Sequence, residues 1–83
     1  MIDGVTVLKQ FMGNELNRLK EGENYLILLD RLYGALSALV IAKLIEPDAI
    51  KWLYRYYFVK ILNRAGYNGE EVFEKTNFYK EWF

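Results

Sequence analysis

Residues 24–45 read NYLILLDRLYGALSALVIAKLI, and wound as a helix this segment carries apolar side chains around nearly the whole wheel. Such a helix predicts a central position, with neighbours on several sides. Its wheel is uneven. Leu28, Leu32, Leu36 and Leu39 form a bulky face, whereas Gly34, Ala38 and Ala42 form a stripe of small residues four apart. Small side chains let another backbone come close. The stripe is therefore the expected self-association surface and the expected site of the tightest helix contact, within the chain or across a homodimer. The longest uncharged run in the segment, from Leu32 to Ala42, reaches only about 16 Å as a helix, against roughly 30 Å of hydrocarbon in a bilayer. No membrane span is predicted.

The flanking segments repeat the helical period. Val5, Leu8, Met12, Leu16 and Leu19 share one face, which predicts a first helix from about residue 4 to 20 with Asp3 as its cap and Gly22 past its end. Pro47 ends the second helix and suits the first position of a third, over about 47–65, that buries Ile50, Leu53, Tyr54, Tyr57, Ile61 and Ala65 and stops at Gly66. Asn68, with Glu71 three residues on, starts a short fourth helix through about Lys75. No run alternates with period two for long enough to require a strand. The predicted fold is all-α: one domain over 1–83, a bundle of three long helices with a short C-terminal helix or tail.

Several functions are excluded by what the chain lacks. With no Cys and no His there is no disulfide, no imidazole acid–base pair and no Ser–His or Cys–His nucleophile, and Ser37 is a packing residue. Glu70, Glu71 and Glu74 form a solvated face, since a hard cation needs six or more oxygens in a shaped site. No catalytic residue, metal site or cofactor is predicted. The glycines form no phosphate loop. Asp30 is an acid inside the most apolar segment, and the expectation is a structural ion pair with Arg18 or Arg64. The opening MIDGVTVLKQ has neither the basic start nor the apolar run of a secretory signal, so the expected location is cytoplasmic.

The third helix carries the functional suggestion. Between Lys51 and Arg64 lie four cations and no acid, and Lys51/Arg55 and Lys60/Arg64 are like-charge pairs at i,i+4 that each cost about 0.2–0.5 kcal/mol. Something outside the helix must compensate them: a partner, or the glutamates of the C-terminal segment. Trp52, Arg55, Tyr56 and Val59 share the side away from the predicted core, and exposed aromatic and Arg anchors supply most of the energy of protein interfaces. Tyr79, Trp82 and Phe83 in the aromatic C-terminal segment are secondary contact candidates. The expected function is a non-enzymatic, self-associating protein–protein interaction module, an adaptor or inhibitor of the general form carried by phages and other mobile elements. The alternative is nucleic-acid binding through Lys51, Arg55, Lys60 and Arg64. A helix-turn-helix fits poorly, because Asp48-Ala49-Ile50 stands where base-reading polar residues are needed.

Overall fold

Residues 3–22 and 24–76 are described by a computed structural model. Its helices follow in the order α1 (Gly4–Arg18), α2 (Leu26–Ile41), α3 (Ile50–Arg64) and α4 (Gly69–Lys75), with a single 3-10 turn over Pro47–Ala49. Three long helices and a short fourth are what the periodicity predicts.

The start of α1 is fixed by Asp3, whose carboxylate accepts from the Val5 amide at 3.0 Å and from the Thr6 hydroxyl at 3.1 Å. Leu8, Met12 and Leu19 from this segment are buried, with Leu16 packed against them. Val5, predicted on the same face, is exposed. Asn24 plays the Asp3 role for α2, accepting from the Leu26 amide at 3.0 Å.

Helix α2 stops at Ile41, four residues short of the predicted end at 45. The cause is a left-handed residue. Lys43 has φ of 60°, its amide donates to the Val40 carbonyl at 2.9 Å, and the Leu44 amide donates to the Leu39 carbonyl at 2.9 Å. This is the paired closure of a Schellman turn. The end of α3 repeats it with Gly66, φ 101°, whose neighbour Tyr67 donates to the Leu62 carbonyl at 2.9 Å.

The bulky face of α2 packs as predicted, with Leu28, Leu32, Leu36 and Leu39 buried. Its opposite face is bare, so α2 is not the central helix. Leu26, Ile27 and Ile41 are exposed, and Gly34, Ala38 and Ala42 lie in solvent on the same side. Among the described residues a Cβ at Gly34 would meet nothing, and Ala38 and Ala42 are exposed, so the small stripe is not the tightest helix contact of the bundle. Asp30 is exposed too, and its expected ion pair does not form. Arg64 Nε instead donates to the Leu19 carbonyl at 3.1 Å, and the neighbouring Arg31 pairs with Glu15 at 2.9 Å.

The centre belongs to α3, which packs against α1, α2 and α4. It buries Leu53, Tyr54, Tyr57 and Ile61 as predicted, with Ile50 partly buried, and additionally Phe58 and Leu62. Phe58 is buried because α4 docks there: its ring meets Phe73 edge-on at 5.2 Å and Tyr54 at 5.6 Å. Asn68 caps α4 by accepting from the Glu71 amide at 3.2 Å. Gly69 brings the first turn of α4 onto α3, its amide donating to Asn63 Oδ1 at 2.8 Å. A Cβ at Gly69 would run into the Val59 carbonyl.

Two predictions follow from this packing. Gly69→Ala is expected to lower stability by about 1–3 kcal/mol, read by chemical denaturation, since backbone lies in the way of the added methyl. Burial raises the phenol of Tyr54 above its ordinary 10.0, and burial with the nearby Tyr56 does the same for Tyr57 against an opposing pull from Lys60. The folded state then holds those protons to higher pH than the unfolded state, so the associated stability is full below about pH 10 and falls as pH rises beyond it. Denaturation midpoints between about pH 9 and about pH 11 are expected to fall less in Tyr54→Phe than in the parent chain.

Candidate functional site

The aromatics of α3 divide by face. Tyr54, Tyr57 and Phe58 turn inward, whereas Trp52 and Tyr56, one helical turn apart, remain 56% and 49% exposed. Val59 continues this line half-buried, and Arg55 lies exposed beside it. The structure thus brings Trp52, Arg55, Tyr56 and Val59 onto one surface.

That surface is held from several directions. Arg55 Nη2 pairs with Glu74 of α4 at 3.3 Å, and its guanidinium lies 5.3 Å from the Phe73 ring centre. Lys60 Nζ sits 4.5 Å over the Tyr56 ring, which meets Tyr57 edge-on at 5.0 Å. These contacts restrict the rotamers of Tyr56 and Arg55 before any partner arrives, which lowers the ordering cost of binding.

The same contacts dispose of the like-charge problem along α3. Arg55 is matched by a glutamate of α4, Lys60 by a ring face, and Arg64 by the Leu19 carbonyl at the C-terminal end of α1, where a cation is favoured. The four residues of the nucleic-acid alternative are therefore not one strip. Arg64 belongs to the α1 terminus, while Lys51 stands at the other end of α3 in a shallow groove with Asp48, Trp52 and Phe73.

Trp52 borders three grooves. The first runs between α1 and α3, encloses about 380 Å³, has Leu16 and Tyr57 among its walls, and is flanked by Lys9 and Lys60. A second lies toward α4 beside Phe73, and a third passes between Trp52, Val59 and Glu70. The α1 contribution was not legible as a site. Its one signal is Gly13, a glycine inside a helix at which a Cβ would meet nothing. Glycine there costs about 0.8–1 kcal/mol of helix propensity relative to alanine, and no contact among the described residues requires it.

Elsewhere the predicted residues separate. Gly34, Ala38 and Ala42 lie on α2, away from this surface, and Tyr79, Trp82 and Phe83 lie outside the described residues. Glu71 is paired with Lys75 at 3.0 Å and Glu74 with Arg55. Among the described residues there is no cluster of three or more metal-ligating side chains, no buried polar or charged side chain, and no helix long and apolar enough to cross a membrane. No family model, curated protein or solved structure matches the chain.

Gly13→Ala is expected to raise stability by about 0.5–1 kcal/mol, because the open space accepts a methyl while the helix gains propensity. Chemical denaturation of the two proteins side by side measures it.

Proposed function

We propose that this protein is a non-enzymatic interaction module, a small adaptor or inhibitor that acts by covering part of another protein. The observation that supports it is the pair Trp52 and Tyr56, left half-exposed beside the groove between α1 and α3 while their aromatic neighbours on α3 are buried. Large rigid aromatics at the edge of an apolar groove supply binding area at small entropic cost. The partner that fits is a protein segment placing an apolar side chain in the groove and carboxylates near Lys9 and Lys60.

Nucleic-acid binding has less support. It needs several cations free for phosphates, and Arg55 and Arg64 are already engaged by a carboxylate and a carbonyl.

Affinity capture from the native host, run in parallel with wild type and with the Trp52→Ala/Tyr56→Ala double variant, tests the proposal. Specific proteins retained by the wild type are expected to be lost from the double variant. Because both side chains are about half in solvent, the melting temperature is expected to change by only a few degrees. Equal retention by both, or a collapsed melt in the double variant, overturns the assignment. Retention of nucleic acid that weakens steeply with salt would favour the alternative.

A further inference from the structure

Between α3 and α4 the fold makes two demands on neighbouring residues. Position 68 must cap α4, and Asn68 does so by accepting from the Glu71 amide at 3.2 Å. Position 69 must carry no side chain, because a Cβ on Gly69 would run into the Val59 carbonyl. Together these demands write an Asn-Gly step, the only one in the chain. Glycine shields its own amide nitrogen less than any other residue, and that nitrogen can attack the carboxamide carbon of the asparagine before it.

In the folded chain this reaction is held back at both atoms. The Gly69 amide donates to Asn63 Oδ1 at 2.8 Å, so its proton is engaged and its nitrogen is fixed. Asn68 has ψ of 97°, which turns that nitrogen away from the Asn68 Cβ, whereas closing an imide ring needs the two on the same side. The cap bond to Glu71 keeps the carboxamide where it is. Asn68 is exposed and Gly69 is buried, so water reaches the first and is kept from the second.

We infer that Asn68 is a self-modification site gated by the docking of α4, with Asn63 as its guard. When α4 lifts from α3, the Gly69 nitrogen gives its proton to water and bonds to Asn68 Cγ, and the carboxamide nitrogen takes up a proton and leaves as ammonia. Water then opens the imide. Cleavage at Cγ restores the ordinary main chain and leaves aspartate, which caps a helix as well as asparagine does. Cleavage at the main-chain carbonyl carbon leaves isoaspartate, with the main chain running through Cβ and lengthened by one carbon. Gly69 sits so close under Val59 and on Asn63 that the longer chain does not fit, and isoaspartate therefore keeps α4 from docking again. Helix α4 supplies Phe73 and Glu70 to the grooves beside Trp52, so the change alters that surface in one direction only.

Peptide mapping of the full chain by mass spectrometry tests this, since cleavage after Arg64 and Lys75 isolates the segment that holds Asn68. The chain is aged in neutral buffer and, in parallel, in denaturant. Conversion of Asn68 is expected to be about tenfold or more slower in buffer, because only conformers with α4 lifted react. Asn63→Ala is expected to speed conversion in buffer about fivefold or more and to leave the rate in denaturant unchanged, since the Gly69 amide loses its acceptor. Asn63→Asp keeps an acceptor oxygen and is expected to age like the wild type, and it decides the matter should Asn63→Ala lose its cooperative melt. The isolated isoaspartate form is expected to denature at lower denaturant than the wild type and Asn68→Asp to match it, which separates the longer main chain from the added charge. Equal ageing in buffer and in denaturant, an Asn63→Ala protein no faster than wild type, an Asn63→Asp protein that ages like Asn63→Ala, or an isoaspartate form as stable as the wild type overturns the inference.

Discussion

Everything in this fold leans on α3, because one helix has to supply the contact surface for the other three. In a chain of 83 residues with no disulfide to close a loop, stability rests on how many sides of one element can be buried at once. Helix α3 achieves this with Leu53, Tyr57 and Ile61 on one side and Phe58 and Leu62 on another, spread over about half of its circumference. What remains uncovered carries Lys51, Arg55, Lys60, Asn63 and Arg64 together with Trp52 and Tyr56. The candidate docking surface is thus the residue of a packing problem: the segment richest in aromatics is also the one with least circumference left to hide them.

The cations of α3 follow the same logic. A helix packed on so many sides has little room for its charged side chains, and each is drawn to the nearest acceptor at an edge. Arg64 reaches the end of α1, Arg55 reaches α4, and Lys60 folds onto Tyr56. Exposed ion pairs such as Arg55–Glu74 contribute little to stability. Their effect is positional: they fix the border of the grooves around Trp52.

Local signals were legible in the sequence and distant ones were not. Asp3, Asn68 and Gly66 act within a turn of their own position and mark helix ends as expected, whereas Pro47 opens a separate 3-10 turn, six residues past the end of α2 and three before the start of α3. The end of α2 was misplaced because its left-handed stop is a lysine, a residue type that gives no such signal. Phe58 and Leu62 were missed because their burial depends on α4, which the wheel of α3 cannot show. The all-round apolar character of α2 was read as a central position, when a bundle of this size leaves one of its sides without a neighbour. The site was half legible: the α3 residues declare themselves by spacing, whereas Val5, Lys9, Gly13 and Leu16 join them only through the packing of α1.

Three residues work against the fold they sit in. Gly13 and Gly34 each cost about 0.8–1 kcal/mol inside a helix, and a non-glycine residue at the left-handed Lys43 position costs roughly 1–2 kcal/mol more. For a domain of this length the whole margin of stability is only on the order of 4–12 kcal/mol, so these are large concessions. None of the three is required by a contact within the described residues, and alanine or glycine would serve the isolated chain better at each. Gly13 lines the groove beside Trp52, while Gly34 lies on the exposed face of α2 and Lys43 in the turn past its end. At Gly13 that cost falls beside the groove proposed to receive a partner, where an open helix surface admits a close approach.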